Sequence, residues 1–219
     1  MDAALQNYIE AHLPEYIEEL KRLCRQPSVA AQDMGVQECA QLVKGMLDDI
    51  GFDTRVIPTQ DPRYPVVYAE RAGHSSKQLL FYNHFDVQPA EPLELWESPT
   101  FEPTERDGRI YARGASDDKG HLAARIGALK AILAVRGELP VGVKFCIEGA
   151  EEIGSPGFEQ FVEEQRGLLQ ADACIWEGGG VGWEGNPLIV LGLKGILYVE
   201  LEVRSASRDS HSSYGAVVP

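Results

Sequence analysis

Acidic side chains that could bind a cation follow a turn of small residues in the middle of the chain. Asp117 and Asp118 precede an Ala/Leu-rich run over residues 120–135 that is typical of a helix. Carboxylates at such a junction can cap the helix, bind a cation or face solvent. The pair alone does not separate these three roles. Further candidate ligands elsewhere in the chain favour the cation.

His84 and Asp86 follow a mostly apolar stretch that predicts a central strand over residues 78–83. Side chains two residues apart on a strand point the same way, toward the carboxyl edge of the sheet, where α/β proteins place ligands. A carboxylate that holds the second nitrogen of an imidazole suits a metal-binding histidine. The alternative is a core histidine satisfied by a neighbouring acid, which is the commoner arrangement for these two residues taken alone.

Adjacent glutamates follow another apolar stretch, over residues 141–148. Glu151 and Glu152 would be costly to bury without partners, and a metal ion removes that cost. Because neighbouring side chains cannot point along one coordination direction, one could be a ligand and the other a general base. The alternative is a solvated loop at the end of the strand.

Two further residues have weaker patterns. Glu177 follows an apolar segment and precedes three glycines, so it is a third acid at the end of a strand or an exposed acid in a loop. His211 lies in a polar segment, where a single histidine is more often exposed.

Taken together, one histidine and several carboxylates at the ends of successive strands predict a metal site with nitrogen and oxygen ligands. Such ligands suit Zn, with Mn or Co as alternatives, and the number of acids indicates two ions. A phosphate-binding loop over residues 114–119 is excluded. The second glycine before Lys119 and the Ser/Thr after it are missing, and two aspartates would repel phosphate.

The elements that must position these residues alternate between helices and buried strands up to about residue 185, which predicts an α/β fold with helices on the faces of a sheet. We predict helices over residues 5–26, 36–50, 120–135 and 157–165, and strands over 54–58, 66–70, 78–83, 141–148 and 171–176. The proline-rich residues 88–109 predict a surface loop. Strands over 188–193 and 195–204 begin a different pattern, so we divide the chain into domains 1–186 and 187–219.

Composition excludes several classes of partner. The formal net charge of −14 disfavours nucleic acid and anionic membranes. The four cysteines are scattered, and Cys146 and Cys174 lie in apolar runs that predict buried, reduced thiols. The sequence shows neither a signal-peptide pattern at Met1 nor an apolar run of transmembrane length. We therefore predict a cytoplasmic protein.

Three ordered motifs resemble the M20 metallopeptidases, and within them the dipeptidase branch of carnosinases and Cys-Gly dipeptidases. They read H-F-D-V-Q-P at 84–89, D-G-R-I-Y-A-R-G-A-S-D-D-K-G at 107–120 and E-E-I-G-S at 151–155. The resemblance extends over nearly the whole chain. It implies a zinc-exopeptidase-like catalytic domain with a mostly parallel central sheet over 1–186, and the first strands of an α+β lid, or dimerisation, domain over 187–219.

The resemblance also implies a two-metal exopeptidase. Asp117 would bridge the ions, His84 and Glu177 would bind one of them, and Glu152 would bind the other. Glu151 would be the general base.

Three further expectations come from the same resemblance. Asp86 would orient His84, and the peptide bond between Asp117 and Asp118 would be cis. His211 would bind the carbonyl oxygen of a peptide substrate, often in the neighbouring subunit's site of a homodimer.

The sequence departs from the family pattern in two ways. The dipeptidase branch usually has Asp where this chain has Glu177. Family members are also longer and supply a last histidine ligand and most of the lid beyond the region matched here, so we expect this chain to be an incomplete fragment that is inactive alone. The leading hypothesis is a di-metal hydrolase of dipeptides or small peptides. The alternatives are a deacylase of N-acyl amino acids and a non-catalytic scaffold.

Overall fold

The computed structural model describes residues 2–192, 194–202, 211 and 213. The chain divides into two compact units, 1–179 and 180–219. The division into domains 1–186 and 187–219 stays a prediction.

The first unit contains five helices and a central sheet. The helices are α1 (Ala3–Arg25), α2 (Val36–Asp48), α3 (Lys119–Arg136), α4 (Phe158–Glu164) and α5 (Arg166–Leu169). The strands of the sheet are β1 (Asp53–Ile57), β2 (Val66–Arg71), β3 (Ser75–His84), β6 (Val141–Glu148) and β7 (Ala173–Ile175), and a small hairpin adds β4 (Thr104–Arg106) and β5 (Arg109–Tyr111). The α/β fold predicted from the sequence is confirmed.

The central sheet is mixed, with strand order β1-β2-β6-β3-β7. β6 pairs parallel with β3, and β3 pairs parallel with β7, whereas β1–β2 and β2–β6 are antiparallel. The sheet is thus less parallel than the resemblance implied. Only residues 72–74 join β2 to β3. Such a short link cannot hold a crossover helix, so β2 runs opposite to β3 and to the β6 strand between them.

Alternate residues of each strand face two separate cores. Phe81, Phe145 and Ile147 pack with side chains of α1, α2 and α3 on one face. Leu80 and Cys146 pack with Phe158, Phe161 and Leu169 of α4 and α5 on the other. Because side chains alternate along a strand, His84 shares the α4 face, and its neighbour Asn83 shares the α3 face.

Several local predictions differ from the structure. α1 continues through Pro14, although a proline inside a helix removes a backbone hydrogen bond and often kinks it. The predicted loop over 88–109 contains β4 and the start of β5, joined at Asp107 and Gly108, which both have positive φ. An Asp-Gly pair is the turn that a tight hairpin favours.

The cysteines are free thiols, and Cys146 is buried as predicted. Cys174 is exposed, contrary to the prediction. It lies on β7, which stands at the end of the strand order and has no further strand beside it among the described residues.

In the second unit, the described strands are β8 (Gly180–Val181) and β9 (Pro187–Leu188), which pair antiparallel. The described residues 189–192 and 195–202 lie in no strand, so the strands predicted over 188–193 and 195–204 are wrong beyond Leu188 for the described residues. Leu197, Val199 and Leu201 are exposed. Alternation creates an apolar face, but a strand also needs a neighbour for its backbone groups. Residues 193 and 203–204 lie outside the described residues.

Within the described part of the chain, every helix is too short or too polar to span a bilayer.

The centre of the larger core tests this packing. Phe145 is fully buried, and its ring lies 5.2 Å from the ring of Phe81 and 5.7 Å from that of Phe52, centroid to centroid. We expect Phe145→Ala to lower the free energy of unfolding by about 3–5 kcal/mol, because it removes buried surface and leaves a cavity. Urea unfolding measures the loss. The control is Leu95→Ala on an exposed side chain, with an expected change of about 0.5 kcal/mol or less. Equal losses in the two variants would contradict this description of the core.

Candidate metal centre

The predicted ligands meet at the carboxyl edge of the sheet because three parallel strands end there. β3 ends at His84, which is in register with Glu148 at the end of β6, and β7 ends two residues before Glu177. His84 is 1% exposed. Its Nε2 lies 3.0 Å from Asp117 Oδ1, 3.3 Å from Glu177 Oε2 and 3.9 Å from Glu151 Oε2. The structure therefore brings together four residues that the sequence analysis selected.

Asp86 holds the other side of the imidazole. It is fully buried, with its backbone oxygen 3.1 Å and its Oδ1 3.4 Å from His84 Nδ1. Both neighbours of Nδ1 are acceptors, which places the Nδ1 proton toward Asp86 and leaves the Nε2 lone pair facing the carboxylates. The orienting role expected for Asp86 stays a prediction, which this geometry supports.

The Asp86 carboxylate also fixes the pair of glutamates. Its Oδ1 accepts a hydrogen bond from the backbone N–H of Glu151, and its Oδ2 accepts one from that of Glu152, each at 3.0 Å. Both glutamates open the short 3₁₀ turn Glu151–Ile153, which directly follows Gly149 and Ala150. A Cβ added at Gly149 would stand 2.6 Å from the Phe85 ring, so only glycine lets β6 enter this turn so close to β3.

Glu152 points to a residue that the sequence analysis missed. Its Oε2 accepts a hydrogen bond from Gln88 Nε2 at 2.8 Å, and the same amide donates to the backbone oxygen of Glu152. Gln88 lies within the H-F-D-V-Q-P motif, which is the signal that could have identified it. Glu151 and Glu152 thus have separate surroundings, as their proposed division of labour requires.

The adjacent aspartates also differ from each other. The peptide bond between them is cis, which confirms that expectation. Asp118 is buried, and its Oδ2 accepts hydrogen bonds from Asn83 Nδ2 at 2.5 Å and from the backbone N–H of His84 at 3.2 Å, while its Oδ1 lies 2.7 Å from His121 Nδ1. The side chain of Asp117 is 75% exposed, apart from its contact with His84.

Two geometric criteria select different aspartates as the ligand. One ligand atom each from His84, Asp118 and Glu177 lie within 4.8 Å of one another. Asp117 nevertheless makes the closer approach to the free nitrogen of His84. We favour Asp117, because the oxygens of Asp118 are already occupied by protein hydrogen-bond partners, whereas those of Asp117 remain accessible. Asn83 and His121, which the sequence analysis missed, orient Asp118.

The charges of the cluster favour a bound cation. Burial lowers the pKa of His84, but the hydrogen bond and charge of Asp86, together with the charges of Glu177 and Asp118, raise it to about 10 overall. Burial raises the pKa of Glu177 to about 7 and also raises that of Glu151. The carboxylates therefore face a histidine that holds its proton tightly when no other cation is near.

An unsatisfied atom tests whether a metal ion fits. Glu177 Oε2 is buried without a hydrogen-bond partner, although it lies 3.3 Å from His84 Nε2. With the Nδ1 proton directed at Asp86, an acceptor nitrogen faces acceptor oxygens, and only a proton or a metal ion stabilises that arrangement. Imidazole with carboxylate oxygens suits Zn, Mn or Co. The residues present fit a metal ion, which would displace the proton.

His211 belongs to the second unit. It is exposed, and its Nδ1 lies 2.9 Å from Ser213 Oγ. Most of its neighbours along the chain lie outside the described residues, and its substrate-binding role stays a prediction.

Comparison with known proteins decides the family. Residues 80–215 match the profile of Peptidase family M20/M25/M40. The chain belongs to this family. The resemblance inferred from the motifs is confirmed, and the chain is a member of a family of hydrolases that are metallopeptidases.

Individual relatives and structures agree. The chain is 34% identical to the Cys-Gly metallodipeptidase dug1 of Schizosaccharomyces pombe, with 98% of this chain and 48% of the relative covered. It is 30% identical to the human Beta-Ala-His dipeptidase, with 96% and 45% covered. An M20 family metallo-carboxypeptidase from Sulfolobus solfataricus has a similar structure, with a TM-score of 0.82, 42% identity and 94% and 46% covered. The chain spans about half the length of these proteins.

The two aspartates can be separated by experiment. We expect Asp117→Asn to weaken zinc binding by at least about 100-fold, because a metal ligand is lost. Asp118→Asn removes an outer contact and should cost roughly 10- to 100-fold. Calorimetric titration of the metal-free chain measures both, with thermal unfolding as the check on folding. If Asp118→Asn binds one zinc ion fewer than the parent while Asp117→Asn binds as many as the parent, the ligand is Asp118.

Proposed function

We propose that this chain is part of a di-metal hydrolase that cleaves the amide bond of dipeptides or small peptides. The observation that carries the proposal is the Asp86 carboxylate, which orients His84 and both glutamates around one cluster in a member of the M20 family. Relatives named as Cys-Gly and Beta-Ala-His dipeptidases support peptide substrates with one amide bond to cleave. Because the chain covers about half of these relatives, the proposal concerns the whole protein.

The proposed ligands form two sets that share Asp117. His84, Glu177 and Asp117 would hold one ion. This is consistent with the distances from His84 Nε2, which are 3.0 Å to Asp117 Oδ1 and 3.3 Å to Glu177 Oε2. Glu152 would bind the other ion. Its carboxylate accepts a hydrogen bond from Gln88, and its backbone N–H donates one to Asp86. Zn is the metal we favour, with Mn or Co as alternatives.

When bound, divalent ions at such a site supply an acidified water molecule and polarisation of the scissile carbonyl. Glu151 takes the proton as the water oxygen bonds to the carbonyl carbon. It then passes that proton to the amide nitrogen as the C–N bond breaks, so that the products are a carboxylic acid and an amine, and the acid gives its remaining proton to the amine or to solvent at neutral pH. Glu151 suits this role because its backbone is fixed by Asp86 while its side chain remains 36% exposed. Burial raises the pKa of Glu151, which makes its carboxylate a stronger base.

His211 would bind and stabilise the carbonyl oxygen during attack, and in a homodimer it would do so in the neighbouring subunit's site. The whole protein would also supply the remaining lid and a last histidine ligand. The 219-residue chain alone would therefore bind metal more weakly than the whole protein and turn over little substrate.

Glu151→Gln tests the general base. We expect the variant to bind the same number of metal ions as the parent, since the Glu151 backbone N–H that contacts Asp86 is retained. Turnover by the whole protein should fall roughly 10²- to 10⁴-fold, because an amide cannot accept the water proton. Metal analysis and dipeptide hydrolysis measure the two effects. Glu159→Gln, an exposed site on α4, is the matched control and should behave like the parent. Near-normal turnover in Glu151→Gln would remove the residue from this role.

A substrate panel separates the three functional hypotheses. We expect the whole protein, loaded with zinc, to hydrolyse dipeptides at least about tenfold faster than N-acetyl amino acids, in terms of kcat/KM, a difference of about 1.4 kcal/mol in transition-state binding. The same panel on the 219-residue chain serves as the comparison. Preference for N-acetyl amino acids would support the deacylase. Two tightly bound metal ions without turnover of either class, in the whole protein, would support the non-catalytic scaffold.

A further inference from the structure

The strand that leads to Glu177 has a short pairing with the sheet. β7 pairs with β3 through Leu79–Ala173, Leu80–Cys174 and Phe81–Ile175, and the ladder ends there. His84 lies three residues beyond the last pair on one strand, and Glu177 lies two residues beyond it on the other. Ladder hydrogen bonds therefore do not set the distance between the two side chains. Another contact must do so.

The guanidinium of Arg125 bridges the two strands just past the end of the ladder. Its Nη1 donates to the backbone oxygen of Tyr82 at 2.6 Å and also to Asn83 Oδ1. Its Nη2 donates to the backbone oxygen of Trp176 at 2.8 Å. These acceptors belong to the residues that immediately precede His84 and Glu177. One planar group on α3 thus joins the backbones that carry both proposed ligands.

Arg125 also reaches the aspartate pair through Asn83. The Asn83 amide accepts from Arg125 with its oxygen and donates to Asp118 Oδ2 with its nitrogen, and it is fully buried. Asp118 directly precedes α3 and Arg125 lies about two turns into that helix, so the path from guanidinium to amide to carboxylate begins and ends at α3. The three segments that hold His84, Asp117 and Glu177 are tied by this one network.

We infer that Arg125 is a positioning residue that sets the spacing between His84 and Glu177 for metal binding. The inference rests on the proposed metal site. Arginine suits the task because a rigid, planar fork donates in fixed directions to several acceptors, whereas a lysine ammonium is a point charge that would reach fewer of them. The guanidinium also lies over the Phe81 ring, 5.0 Å from its centroid, which limits its rotation.

Two other contacts could account for the position of Glu177. The Trp176 ring stacks on Tyr82 with centroids 3.9 Å apart, which restrains the side chain of Trp176 but not the carbonyl that leads to Glu177. The positive charge of Arg125 could also act at a distance on the acidic cluster. Arg125→Lys keeps the charge and loses the fork, so it separates the effect of charge from that of geometry.

The experiment titrates Zn²⁺ into the metal-free 219-residue chain and into its Arg125→Lys and Arg125→Gln variants. We expect both variants to bind the zinc ion at His84 and Glu177 roughly 10- to 100-fold more weakly, which is the usual cost of losing an outer partner of a metal ligand. The affinity for the other zinc ion should be unchanged. Hydrogen–deuterium exchange of residues 173–179 in the metal-free chains should be faster in both variants. The controls are Arg136→Lys and Arg136→Gln, at the exposed end of α3, which should match the parent in both measurements.

Each outcome bears on the inference. Parental affinity in Arg125→Lys would overturn it, because charge alone would then suffice. Equal weakening of both equivalents with a lower unfolding temperature would overturn it in favour of a general structural role. If Arg125→Gln does not fold, Arg125→Lys, which keeps the charge and most of the volume, decides. Absence of zinc binding by both the parent chain and the whole protein would refute the proposed function itself. Unchanged binding in both variants of a zinc-binding parent would refute only the role of Arg125.

Discussion

The candidate site depends on one buried carboxylate, Asp86. Burying a charged group is costly unless it is paired and hydrogen-bonded. Here one side chain meets the Nδ1 edge of His84 and two backbone N–H groups, those of Glu151 and Glu152. These partners come from the end of β3 and from the turn after β6. The carboxylate therefore joins two parallel strands at their carboxyl ends, and it determines both which imidazole nitrogen is free and where the glutamates begin.

In each acidic pair, the two carboxylates have different surroundings. Asp118 is buried and takes its hydrogen bonds from Asn83 and His84, which leaves Asp117 accessible beside the free imidazole nitrogen. In the second pair, Gln88 holds the carboxylate of Glu152. Adjacent side chains leave the backbone in different directions, so the two acids of a pair can have different partners and different roles. Two acids in sequence are useful here because they are not equivalent.

Much of the site could be predicted from the sequence, because His84, Asp86 and the glutamates each follow an apolar strand and parallel strands end at one edge. The residues that orient them could not be predicted. Helical periodicity identifies α3, but it does not show that Arg125 faces the end of β3, which depends on how the helix packs. The mixed sheet could have been inferred from the short link over 72–74. The strand predicted over 195–204 failed for the described residues because alternation specifies a face and not a partner.

The ligand-bearing segments share one structural property. Glu152 and Glu177 lie just beyond the last paired residues of β6 and β7, and hydrogen bonds to the side chains of Asp86 and Arg125 hold the backbone at or next to them. The cores that stabilise the fold lie further back along the same strands, around Phe145. Local stability varies within a fold, and a region held by a few polar contacts can change without global unfolding. We therefore expect substitutions among these polar contacts to change metal affinity with little effect on the stability of the sheet.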